Sequence, residues 1–304
     1  MSLTLNNNVL QPSNHEKMNG YHGNFFTKVT NPSSLISIVE KRLPVSCYIL
    51  NQLKSYEKFT DELEIFMYGS GAERDTWILS KFYREDWDLM IFISAPEGVI
   101  SEDVRQALLS SDLINWDNPF IFAALQTHVT DLILSININE FGNIIKIYPC
   151  YLFHMEKKDA LQLDITTPTK VTVKSLEPVT GTPFITENWK YHNTKTYSFV
   201  RKSIERLPSG GVYMKGINDK EDELVCGAIT PGFGLVSMLH TDPEHRRQGY
   251  ASTCMKYIFQ QLALEGFVPC LASEICNTTA VNFHRSMGLQ NVARANFIGH
   301  KIDI

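Results

Sequence analysis

His245-Arg246-Arg247-Gln248-Gly249-Tyr250-Ala251 lies between a strand-like segment, Gly234-Leu235-Val236-Ser237-Met238-Leu239, and a long helical pattern. A short basic loop at a strand-to-helix junction turns backbone N–H groups and the positive end of a helix dipole toward one region of space. Gly249 carries no Cβ, so a ligand's phosphates can approach the main chain there. Arg246 and Arg247 add charge-assisted hydrogen bonds. Such a loop, from Arg246 to Ala251, cradles a pyrophosphate. The helix that follows presents Ala251, Met255, Ile258, Phe259 and Leu262 at spacings of three and four, one apolar face, and Gly266 reads as its stop. No G-x-x-x-x-G-K-[ST] occurs, and the loop lacks the three glycines of a dinucleotide fingerprint.

Downstream, Phe267–Ile275 reads as an apolar strand and Asn277-Thr278-Thr279-Ala280 through Met287-Gly288-Leu289 as a helix, with Asn277 as N-cap and Gly288 as stop. The Arg-x-x-Gly-x-Ala loop resembles the acyl-CoA pyrophosphate loop of the GNAT acyltransferase superfamily. The Asn-x-x-Ala helix resembles the second signature of that superfamily. Tyr197–Pro208, Val212-Tyr213-Met214, Pro243-Glu244-His245-Arg246 and Gly266-Phe267-Val268-Pro269 are similar to the glycine N-acyltransferase-like branch. The resemblance covers the last 130 residues or so. It implies an acyl-CoA cofactor (acetyl-CoA or coenzyme A) held by Met238, Leu239, His240, Arg246, Arg247, Gln248, Gly249, Tyr250, Ala251 and Asn277, with no metal. It also implies an amine acceptor, a small molecule or amino acid.

At 304 residues the chain suits two domains, and 43% hydrophobic residues support a real core. A net charge of −5 argues against general nucleic-acid binding, and no apolar run is long enough for a membrane span. Six cysteines without C-x-x-C spacing read as reduced thiols in apolar segments rather than zinc ligands or disulfides. The Asn-rich start shows no targeting pattern, which gives the expectation of a cytosolic protein with disordered residues 1–24.

The order of elements repeats. The first half reads as helices after Ser34 and from Cys47 to Phe59, then strands Leu63–Tyr68, Trp77–Phe82 and Asp88–Ile93. A helix at Glu102–Leu109 follows, then strands Phe120–Leu125, Thr130–Ile136 and Ile144–Leu152. The second half reads as a strand at Val171–Leu176, helices around Glu187–Arg206, and strands Val212–Gly216, Leu224–Ile229 and Leu235–Leu239. The expectation is an α/β fold with a mixed sheet, built from tandem GNAT-like domains, 25–168 degenerate and 169–304 binding the cofactor. Where a cradle would stand, the first half has Ser94-Ala95-Pro96-Glu97-Gly98-Val99, with no arginine and an added carboxylate.

Direct attack of an amine on a thioester requires an amine that loses its proton, a polarised carbonyl and a stabilised leaving thiolate. Backbone amides near Leu239 or Thr241 serve the carbonyl. Many members of the resembled family carry a glutamate early in this strand, where this chain has Leu235. Ser237, two residues on, can hold a water chain. His240 and His284 are the remaining titratable candidates. His240 is either a base or a surface histidine. His284 is either an imidazolium that protonates the thiolate, where the family often has tyrosine, or a packed helix residue. A protein N-acetyltransferase and a non-catalytic acyl-CoA-binding scaffold share the same motifs.

Overall fold

A computed structural model describes residues 25–302 except 87, 99, 111, 143–145 and 217–221. The disorder expected for 1–24 and the start of the strand expected at Ile144 lie outside these residues. The first half runs β1 (Thr27–Lys28), a 3-10 turn, α1 (Ile36–Lys41), α2 (Cys47–Ser55), β2 (Leu63–Tyr68), β3 (Trp77–Arg84) and β4 (Asp88–Ser94). It continues with α3 (Glu102–Leu108), β5 (Phe120–Leu125), α4 (Thr127–Phe141), β6 (Ile147–His154) and a short α5 (Lys157–Leu161). The second half repeats the plan: β7 (Val171–Lys174), α6 (Pro178–Glu187), α7 (Thr196–Arg206), β8 (Gly210–Met214), β9 (Glu223–Ile229) and β10 (Ser237–Thr241). Then come α8 (Tyr250–Leu264), β11 (Cys270–Glu274), α9 (Thr278–Ser286) and β12 (Gln290–His300). The chain is a mixed α/β protein made of two similar domains in tandem.

Three expectations are corrected. The segment 130–136 is helical, not a strand. Val129, Leu132, Ile133 and Ile136 are buried at helical spacing, and Gly142 in the left-handed region ends α4. Its isoleucine content suggests a strand, but burial of one helical face overrides propensity. The first of the paired helices in the second half starts at Pro178, a residue suited to the first helical position, and ends where the expected helix would begin. Residues 188–195 form the connection to α7 instead. The strand expected from Leu235 starts at Ser237.

The two halves share one sheet. Strand order is β1-β2-β3-β4-β5-β12-β6-β11, with a separate four-stranded sheet β10-β9-β8-β7. The last strand of each half has crossed to the other. β12 lies between β5 and β6, and β6 lies between β12 and β11. A burial pattern read from sequence specifies which face of a strand is apolar but not which strand it adjoins, so this exchange has no local signal. Side chains of α2 add polar ties across the halves. Asn51 donates through Nδ2 to Gly234 O (2.9 Å) and Val268 O (2.8 Å) and accepts from Val268 N (2.8 Å). Gln52 donates to Phe233 O at 3.0 Å. Both amides are buried, so their groups had to be satisfied internally. They fix the backbone on either side of the cleft described next.

Candidate active site

β10 and β11 diverge. Val236 N donates to Cys270 O (2.9 Å) just ahead of them, and beyond that bond each strand pairs only on its far side, β10 with β9 and β11 with β6. A bulge turns β10 outward. Its ladder with β9 steps from Ser237↔Ile229 to His240↔Gly227, three residues against two, and Met238 takes φ +57°. The extra residue frees backbone groups at Met238 and Leu239 from the ladder.

The gap opens into a cavity of about 360 Å³. Leu235 to Leu239 line one wall and Leu271 to Glu274 the other. Met90 and Ile121 from the first half, with Phe233, Met255 and Phe297, supply apolar surface, and Trp189-Lys190-Tyr191 from the α6–α7 connection edge it.

At the end of β10 the chain makes a 3-10 turn over Pro243–His245 and enters α8 through Arg247 (φ +63°) and Gly249 (φ +84°). These two turns bring the chain directly into the N-terminus of α8, where the first N–H groups of a helix have no partner within it. Among the described residues no side chain caps α8, its first turn holds no acidic residue, and the Thr253 N–H returns to Gly249 O at 3.0 Å. Arg246, Arg247, Gln248 and Gly249 are exposed, whereas Tyr250 is buried and Ala251 half-buried. Arg246 bends back, its Nε donating to Thr241 O (3.0 Å), which braces the loop against the end of β10. A Cβ on Gly249 would meet nothing within 4 Å, so it is the backbone angle that calls for glycine here.

The structure separates the titratable candidates. His284 lines the cavity beside the Phe153 ring (centroids 5.5 Å apart), and its Nδ1 is buried without a hydrogen-bond partner among the described residues. Burial pushes its pKa down to about 4, so in the free protein it is a neutral imidazole at physiological pH rather than the imidazolium that one of its two readings requires. His240 is outside the cavity lining. It packs edge-on against Phe184 of α6 (5.6 Å) with Asp242 Oδ1 3.5 Å from Nε2, and burial lowers its pKa. The bulge sets His240 on the same side of the ladder as Ser237, since their partners Gly227 and Ile229 lie two residues apart, whereas simple alternation would oppose them. Ser237 lines the cavity, but its hydroxyl donates to Leu235 O (3.1 Å). Leu235 itself is 2% exposed. Asn277 stands at the cavity as the N-cap of α9, accepting from Ala280 N at 3.1 Å.

Sequence reasoning missed Glu274. It closes β11, lines the cavity, and accepts from Lys190 Nζ (3.2 Å), Tyr191 Oη (3.3 Å) and Cys276 Sγ (3.5 Å). Burial raises its pKa, but the bonds and charge of Lys190 with the other donors outweigh this and hold it below the usual carboxylate range. The signal was a lone acid inside the apolar run Cys270–Ile275. Opposite it in the ladder, Cys150 has its thiol pushed up to about 12, chiefly by burial.

Known proteins share this architecture. The family model FR47-like protein matches residues 211–298, which include the β10–α8 loop, the cleft and α9. No curated protein matches the sequence. A Drosophila protein solved by structural genomics superposes with a TM-score of 0.76 at 13% identity, covering 91% of this chain and 99% of its own. A tandem GNAT protein from the clavulanic acid biosynthesis pathway gives 0.52 at 10% identity, covering 90% and 97%. A GCN5-related N-acetyltransferase from Sphaerobacter thermophilus gives 0.52 at 11% identity, covering 90% and 95%. At these identities the likeness is one of fold, and the fold is that of tandem GNAT proteins.

Proposed function

We propose that the protein is an acyl-CoA-dependent N-acyltransferase whose second domain (169–304) binds the donor and whose first domain (25–168) walls the reaction chamber. The observation that carries this is the splayed β10–β11 pair ending at an uncapped helix N-terminus with two left-handed residues. An acyl-CoA needs these features in this order. Its pyrophosphate would lie on the amides from Arg247 to Ala251, its pantetheine arm between the strands, and its thioester carbonyl at the amides released near Met238 and Leu239. An amine in the chamber would then attack the carbonyl directly, forming the amide C–N bond as the C–S bond breaks. The amine's proton leaves to solvent or a chamber group, and the thiolate takes up a proton from solvent to leave as coenzyme A. A neutral His284 can donate a hydrogen bond near the leaving sulfur without carrying charge. The branch resembling glycine N-acyltransferases, and a cytosolic setting, are part of this reading.

Two observations favour a second reading, a non-catalytic acyl-CoA-binding protein: Leu235 is buried where a base would be expected, and His284 is held uncharged. Calorimetry with acetyl-CoA, followed by coenzyme A release across an amine panel, separates the two. Binding with turnover supports the enzyme. Binding without turnover supports the second reading, and no binding at millimolar donor defeats both.

A further inference from the structure

We propose that Glu274 and the ring of Tyr191 form the ammonium subsite for the acceptor, occupied in the free protein by Lys190. The acceptor it fits is a primary amine on an apolar or aromatic body. This rests on the acyl-transfer reading above. The Lys190 ammonium lies 3.2 Å from Glu274 Oε1 and 4.3 Å from the centroid of the Tyr191 ring. Carboxylate on one side and π face on the other is the environment a primary ammonium seeks. Trp189 meets Tyr191 edge-on at 5.6 Å and extends the aromatic wall. The Lys190 side chain is 63% exposed, so its ion pair is weak and exchangeable. An acceptor amine reaches the site as an ammonium ion at neutral pH. Replacing one ammonium by another preserves the charge of the site, and Lys190 can swing into solvent.

The rest of the lining decides the body of the ligand. Tyr148, Phe233, Met238 and Phe297 present apolar and aromatic surface. The other cation in the lining, Arg84, is held bidentate by Asp86 (Nε–Oδ1 2.9 Å, Nη2–Oδ2 2.7 Å) with its guanidinium 3.8 Å from the Phe199 ring centroid. A zwitterionic amino acid would therefore have to recruit Lys190 for its carboxylate beside Glu274. That makes position 190 decisive between the two acceptor classes.

The test is calorimetry on the full chain with 2-phenylethylamine, 2-phenylethanol and phenylalanine. The amine should bind at least about tenfold more tightly than the other two. Glu274→Gln should weaken the amine roughly 10- to 100-fold, as loss of a charge-assisted bond does. Lys190→Met, which removes the resident ammonium, should tighten it by about two- to fivefold. Coenzyme A affinity, measured on the same preparations, should stay unchanged in both variants. Equal amine affinity in Glu274→Gln, or no amine binding in the wild type, overturns the proposal. So does weaker amine binding in Lys190→Met, or phenylalanine binding more tightly than the amine. Amine binding that persists in a protein unable to bind coenzyme A would support the subsite while sinking the acyl-transfer reading.

Discussion

The strand junction of the first half is closed and that of the second is open. β4 and β5 pair in parallel (Met90↔Ile121, Ile91↔Phe122), and β4 keeps an unbroken register with β3 from Ile78↔Ser94 to Arg84↔Asp88. Its counterpart β10 carries a bulge and forms no ladder with β11, which pairs with β6 instead. The helices after these strands differ in the same sense. α3 is capped by Ser101, which accepts from Val104 N, and has Glu102 and Asp103 in its first turn. It satisfies its own donors and its own dipole. α8 has neither a side-chain cap nor an acid. One topology thus yields a half whose helix after the central strand is capped and a half whose corresponding helix is not.

The exchange of β6 and β12 sets the largest expected effect. Neither half should fold when expressed alone, because each would lack the strand that fills its sheet. Residues 25–168 and 169–304 produced separately should show little cooperative unfolding by circular dichroism, whereas co-expression should give a soluble complex. A separately folded 169–304 would show that the halves are independent units after all.

Next in size is the transfer of the first half's acids to the second. Ala251→Asp with Ser252→Glu should lower acetyl-CoA affinity by roughly 100-fold through repulsion of the pyrophosphate, while the melting temperature holds or rises as the acids complement the dipole. Loss of affinity accompanied by a falling melting temperature would point to misfolding and break the comparison. Gly249→Val tests the same loop through its backbone. A β-branched residue at φ +84° should cost about 1–2 kcal/mol, readable in chemical denaturation, through strain in the left-handed backbone, since a Cβ there would meet nothing within 4 Å.

Local signals in the sequence carried the loop, α8, α9 and their caps, because glycine angles and N-cap chemistry act within a few residues. The doubling of the fold was legible as a repeated order of elements. Three features were not. α4 hides behind β-branched residues that suit either structure, and only its buried face shows the period. The strand exchange depends on long-range pairing. The bulge at Met238 breaks the alternation of β10 after Ser237, so the side on which His240 lies could not be read from spacing, and its contact is with Phe184. Glu274 was visible as an anomalous acid but had no partner in sequence. Lys190 and Tyr191 reach it from 83 or more residues away in the chain.

His284 supplies a smaller, pH-dependent effect confined to the open half. Its folded pKa of about 4 lies below the unfolded value of 6.5, so the unfolded chain binds the extra proton first. Its contribution to stability is complete above pH 6.5 and is lost progressively as pH falls toward about 4. The loss is of order 3 kcal/mol at most. In His284→Gln, that part of the slope of unfolding free energy between pH 4 and 6.5 should vanish. A variant with the wild-type slope would show that the imidazole is solvated or paired rather than buried and neutral.

The smallest effect belongs to His240, and it tests whether the bulge really sets the cleft apart. Were the ring at the thioester, its removal would cost the 10²–10⁴-fold typical of a positioned acid or base. In the structure the ring contacts Phe184 and approaches Asp242 outside the cavity lining. His240→Ala should therefore keep turnover within about threefold of wild type, the range of a substitution that removes packing but no chemistry. Donor affinity should change as little, since the amides near Met238 and Leu239 depend on the backbone rather than on residue 240. A loss of 100-fold or more in turnover, with acetyl-CoA affinity intact, would place the imidazole at the reacting centre and require the bulge to rearrange when the donor binds.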